Sequence, residues 1–174
     1  MAVLNTPRAG RNMPGYMETL IDRMFTARNI ISKNGYGVMD CSIETIISSF
    51  RSVSNAYQKL NKVEVHYLEL IIELDKEEED ILVLAYNMGS YFFAQGFQSF
   101  ITVVKEREFY LIGIVINSVA FFERPVFHDN NYNYSQILEY LRKITPYDWR
   151  VKASSSTFFD PHVGDGNYTH GYYI

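Results

Sequence analysis

The most constraining feature of the sequence is one almost unbroken apolar run, Phe109-Tyr-Leu-Ile-Gly-Ile-Val-Ile-Asn-Ser-Val119. It is rich in β-branched residues and too short to cross a membrane as a helix, so it reads as a strand. A strand without a polar side cannot turn either face to water. It must be covered on both faces, which places it near the centre of a sheet. Phe97 to Lys105 is a second β-rich segment, and the short charged turn Glu106-Arg107-Glu108 between the two predicts an antiparallel hairpin.

Periodicity supplies the elements around that hairpin. Met17, Leu20, Ile21, Met24 and Phe25 recur at three and four, a helical stripe that Asn34-Gly35 closes. Ile43, Ile46, Ile47, Phe50, Val53 and Tyr57 form a longer stripe with Ser42 as its natural N-cap. Val63-Glu-Val-His-Tyr67 alternates with period two, while Leu68, Leu70, Ile72 and Leu74 continue on the other parity; a bulge near Tyr67 reconciles them. Asp75 caps a third predicted helix, in which Ile81, Leu84, Ala85, Met88 and Phe92 share a face and Gly96 stops the run. Val126-Phe127 reads as a short strand after the turn Glu123-Arg124-Pro125. Ser135 opens a last helix that Pro146 ends, and Trp149 to Ala153 returns as a strand. The expected fold is α+β, a mainly antiparallel central sheet flanked by helices. Residues 1–16 read as an N-terminal arm, 17–153 as the domain and 154–174 as an aromatic tail.

With 174 residues, 47% of them hydrophobic, the chain can bury a core without disulfide or metal support, so its stability implies no cofactor. The single Cys41 excludes an internal disulfide and a multi-cysteine zinc site, and reads as a small buried thiol in a cytoplasmic protein. No apolar run is long enough for a membrane span and no secretory h-region opens the chain, so no membrane partner is expected. The formal net charge of −4 weighs against coating nucleic acid by bulk charge. That charge is segregated, however: residues 1–62 carry eight basic and four acidic residues, whereas 63–90 carry eight acids against Lys76. Glu77, Glu78, Glu79 and Asp80 make most of the acidic run, and their place at a helix N-terminus explains it without a ligand.

Several strings, in order, carry a likeness. These are Gly35-Tyr36-Gly37-Val38-Met39-Asp40-Cys41, the long helix with Phe50, the strand containing His66, and Ile114-Val115-Ile116-Asn117-Ser118-Val119 followed by a Phe-rich turn and Phe127-His128. Tyr147-Asp148-Trp149-Arg150-Val151 closes the series. From about Thr19 to Ser154 the chain resembles the relaxases, the mobilisation nucleases that nick one DNA strand at a transfer origin. In that family three histidines at alternate positions of the strand before Asn-Ser-Val hold a divalent metal, and a tyrosine or histidine of the N-terminal helix attacks the phosphate. Here the matching positions are Phe109, Leu111 and Gly113, and the stretch Ile21-Asp22-Arg23-Met24-Phe25 offers no nucleophile. Tyr16 reads as lying before the helix. The resemblance therefore implies a degenerate member with neither metal ligands nor nucleophile.

The remaining chemistry is sparse. His66, His128, His162 and His170 are scattered, with His128-Asp129 the best pair for a ligand or base and an ordinary turn residue its plainer reading. Gly35-Tyr-Gly lies between two predicted helices and lacks the lysine of a phosphate loop. Asn117 and Ser118 are expected to satisfy backbone at a strand end. Arg8, Arg11, Arg23, Arg28, Lys33 and Arg51 are the candidates for DNA phosphate contact, with ordinary solvated charge as the competing reading. Phe158, Phe159, Tyr168, Tyr172 and Tyr173 are the candidate interface anchors of the tail. Two functions compete: a catalytically inactive relaxase-like module that binds DNA or serves mobilisation as an accessory, and a structural subunit that forms a homo-oligomer through its tail. A working enzyme with a rearranged site has least support.

Overall fold

The computed structural model describes residues 1–7, 12–57, 63–121, 126–128, 130–152 and 159. Its elements run β1 (Ala2–Asn5), α1 (Tyr16–Thr26), β2 (Ile30–Tyr36), α2 (Ile43–Ala56), β3 (Val65–Glu73), α3 (Glu78–Ala94), β4 (Ser99–Lys105), β5 (Phe109–Asn117), α4 (Asn131–Ile144) and β6 (Trp149–Lys152). The six strands form one sheet in the order β2-β4-β5-β3-β1-β6, antiparallel throughout except for the parallel β1/β6 pair. The architecture is the expected α+β, and the apolar strand β5 lies inside the sheet between β4 and β3.

Alternation along the strands divides the core in two. Leu68, Leu70, Ile72, Ile112, Ile114 and Ile116 face one way and pack against Ile81, Leu84 and Met88 of α3 and Ile137 and Leu141 of α4. Val65, Tyr67, Ile71, Leu111 and Val115 face the other way, against Met17, Leu20, Ile21 and Met24 of α1 and Ile46 and Phe50 of α2. The sheet is thus sandwiched between α1/α2 and α3/α4.

Local chemistry fixes the helix ends. Ser42 Oγ accepts from the Thr45 amide at 3.3 Å while Thr45 Oγ1 accepts from the Ser42 amide at 3.0 Å, a reciprocal cap that starts α2. Gly96 stops α3 with φ +90°, and the amide of Phe97 returns to the Phe92 carbonyl at 3.0 Å, that of Gly96 to Phe93 at 2.9 Å. Asp75 does not cap α3: the helix begins after Glu77 without a side-chain cap, and the Asp75 carboxylate pairs with Lys76 at 2.5 Å. α4 starts before Ser135, because Asn130 Oδ1 accepts from the Asn133 amide at 2.9 Å.

Four expectations give way. The N-terminal arm contains β1, hydrogen-bonded between β3 and β6, and its last residue, Tyr16, opens α1. The helix expected to run as far as Asn34-Gly35 breaks after Thr26, where Asn29 takes φ +59°, and the chain continues as the edge strand β2. No bulge interrupts β3: its register with β5 is continuous from Val65↔Asn117 to Glu73↔Phe109, and both parities are buried because both faces are covered. Val126 and Phe127 form no strand; Phe127 packs its ring 5.0 Å from that of His66. Both open edges are blunted: β2 by a register shift between Ile30 and Ser32 and by exposed Lys33, β6 by its four-residue length and exposed Arg150 and Lys152.

Candidate functional site

The face toward α1 and α2 carries what packing alone does not explain. Phe109, Leu111 and Gly113, at the positions that the resemblance gives to metal ligands, do lie on one face of β5, and Phe109 and Leu111 belong to the apolar core there. Neither hydrocarbon side chain can donate to a metal, and glycine has no side chain at all. The residues present therefore do not fit the three-histidine centre, and among the described residues no three His, Cys, Asp or Glu side chains cluster as ligands.

A polar row crosses the sheet at Gly113. Asn5 of β1 pairs with Glu69 of β3, Glu69 with Gly113 of β5, and Gly113 with Thr102 of β4. The Glu69 side chain is completely buried. Tyr67 Oη donates to its Oε1 at 3.0 Å and Asn5 Nδ2 to its Oε2 at 2.8 Å, so both carboxylate oxygens receive a hydrogen bond. Thr102 Oγ1 donates to the Met24 carbonyl of α1 at 3.1 Å, and Asn5 Oδ1 is buried with no hydrogen-bond partner among the described residues. These two donors are neutral, and through them the carboxylate anchors a phenol and an amide.

Above Gly113 lies the ring of Phe159. A Cβ at residue 113 would meet Phe159 Cε2 at 2.8 Å and Tyr67 Oη at 3.0 Å. Phe159 is only 2% exposed and its ring stands edge-on to Tyr67, with centroids 6.2 Å apart. Of the five aromatic residues expected to anchor an interface, this one is therefore interior to its own chain. Phe158, Tyr168, Tyr172 and Tyr173 lie outside the described residues.

The end of β5 behaves as its polar residues imply. Asn117 Nδ2 donates to the Phe50 carbonyl at 3.0 Å and to Gln98 Oε1 at 2.8 Å, and Ser118 Oγ donates to the Val63 carbonyl at 2.5 Å. Gln98 in turn donates to the Gly37 carbonyl at 2.6 Å. The glycine loop folds on itself, Asp40 accepting from the Gly35 amide at 2.7 Å. Gly35 and Tyr36 belong to β2 rather than to an interhelical loop, and Cys41 is exposed, not buried. Tyr16, the first residue of α1, is buried in the core with Met17 and Leu20. His66 is buried, His128 is exposed, and Asp129, His162 and His170 lie outside the described residues.

The six basic candidates separate. Arg8 and Arg11 lie outside the described residues. Arg51 is committed elsewhere: it forms ion pairs with Glu18 of α1 and, at 3.3 Å, with Glu64. Burial pushes the Glu18 carboxyl up, but the Arg51 hydrogen bond and charge, with a backbone hydrogen bond, outweigh it and hold the group below its ordinary range. Arg23 stands in the last turn of α1, Arg28 is exposed just beyond it, and Lys33 of β2 reaches back to the Phe25 ring at 3.5 Å and to its carbonyl at 3.4 Å. These three gather where α1 hands over to β2. Sequence reasoning misses the Asn5–Glu69–Tyr67 row, whose only signal is a glutamate interrupting an apolar strand. Among the described residues no helix is long and apolar enough to cross a membrane. Comparison of the chain with protein-family models, with curated proteins and with solved structures finds no match.

Proposed function

We propose that this chain is a relaxase-like module that has lost strand nicking and acts by binding single-stranded DNA, as an accessory to mobilisation. The observation that supports the reading is the filling of β5: Phe109 and Leu111, at the positions to which the resemblance assigns metal ligands, pack in the apolar core, and Phe159 takes the volume above Gly113. A nuclease centre cannot be assembled from those groups, so the use of such a fold rests on its surface. Arg28, exposed just beyond α1, and Lys33 of β2 supply cations to hold phosphates, whereas Arg51, neutralised by two carboxylates, contributes little. Binding titrated against salt with a labelled single-stranded oligonucleotide tests this. Affinity should fall with rising salt, and Arg28→Ala with Lys33→Ala should flatten the log–log slope by ~0.7 for each phosphate that is no longer neutralised.

The competing reading, a self-assembling structural subunit, draws on α3. Val83, Tyr86 and Phe93 recur on one side of that helix, each more than 45% exposed, an apolar row of the kind that subunits bury. No oligonucleotide binding at low salt, together with a large particle by light scattering, would establish it in place of the DNA reading.

A further inference from the structure

We infer that the hollow above Gly113 is a socket for an aromatic ring, and that Phe159 is the latch by which the C-terminal segment fastens to its own sheet. The inference is independent of DNA binding. Phe109, Leu111 and Val115 are large on this face of β5, so the missing side chain at 113 is a single gap in an otherwise filled row. The gap is ring-sized and occupied: Phe159 Cε2 and Cδ2 lie 2.8 and 3.2 Å from where a Cβ would stand. Tyr67 forms a fixed wall, since its hydroxyl is engaged by the buried Glu69 at 3.0 Å.

The latch comes from the same chain. β6 ends at Lys152, and β5 lies three strands away across the sheet in the order β5-β3-β1-β6. Three strand spacings are about 14 Å. Seven residue steps from Lys152 to Phe159 can span up to about 24 Å, so one chain makes the crossing. Burying one ring and closing a loop of that length are opposing terms of similar size, so the ring can withdraw without unfolding the sheet.

Chymotrypsin tests this, because it must draw the Phe159 ring into its own pocket to cut after it. The appearance of the fragment 1–159 by mass spectrometry, normalised to the cut after Tyr168 in the same full chain, should be roughly tenfold or more faster in Gly113→Ala than in the wild type, with far-ultraviolet circular dichroism unchanged. Equal rates would overturn the latch. Phe159→Ala guards against a Gly113→Ala chain that does not fold: toluene should raise its melting temperature and leave the wild type unmoved, since an apolar hollow vacated by a ring takes up a small aromatic molecule. No response to toluene, or a wild-type dimer that Phe159→Ala converts to monomer, overturns the socket filled in cis.

Discussion

The two faces of the sheet are built from the same strands, residue by residue in alternation, yet they differ in kind. Toward α3 and α4, Leu68, Leu70, Ile72, Ile112, Ile114 and Ile116 make an apolar surface, with the buried polar residues His66 and Ser99 beside Ile116 at one end. Toward α1 and α2 the corresponding positions include Glu69, Gly113, Thr102 and Asn117, each buried and the polar ones hydrogen-bonded to a particular partner. An apolar face tolerates any shape-conserving repacking; a polar one demands that partners be kept together, because each orphaned group bears its whole desolvation cost. The difference lies in where the polar groups stand: in a row that crosses four strands on the α1/α2 face, and at one end of the sheet on the other.

The largest effect that would test this contrast is on the packing face. Ile114→Ala should lose about 2–5 kcal/mol in urea unfolding, and a loss below about 1 kcal/mol would break the description of that face as close-packed. On the polar face, Glu69→Leu should cost about 2–3 kcal/mol, since Tyr67 Oη and Asn5 Nδ2 lose their acceptor. The triple variant Asn5→Leu, Tyr67→Phe, Glu69→Leu should recover most of that loss, turning the second face into a copy of the first in character. Smallest is the rim, where Arg51→Met should cost ~0.5 kcal/mol because the Glu18 and Glu64 partners are largely in water. Its sign with pH is fixed by Glu18, whose folded pKa is lowered: the ion pair's contribution is present above the ordinary carboxylate range of about 4.3 and fades as pH falls through the lowered value. The gap between variant and wild type should therefore close in acid, as paired melts at neutral and acid pH would show.

What is legible in the sequence follows burial. β5 can be read because an apolar run that long has no other use, and α2 because Ser42 and its stripe agree. β2 is hidden because an edge strand with half-buried and exposed positions, Lys33-Asn34-Gly35 among them, shows neither alternation nor an apolar run. β3 reads as bulged only while parity is taken to mean one wet face; once both faces are covered, parity says nothing. The polar row cannot be seen at all, since Asn5, Glu69 and Thr102 become neighbours only through strand order. Phe159 reads as an outward anchor for the same reason: the glycine that receives it lies in a strand remote along the chain.

The place of β1 has a kinetic meaning. It lies between β3, an early central strand, and β6, the last strand of the sheet, so that half of its hydrogen bonds wait for nearly the whole chain. Closing so distant a pair is slow, and until β6 arrives β1 presents an unpaired edge to other molecules. Refolding from denaturant should accordingly be most prone to aggregation in that interval, and a chain ending before Trp149 should keep the hazard permanently.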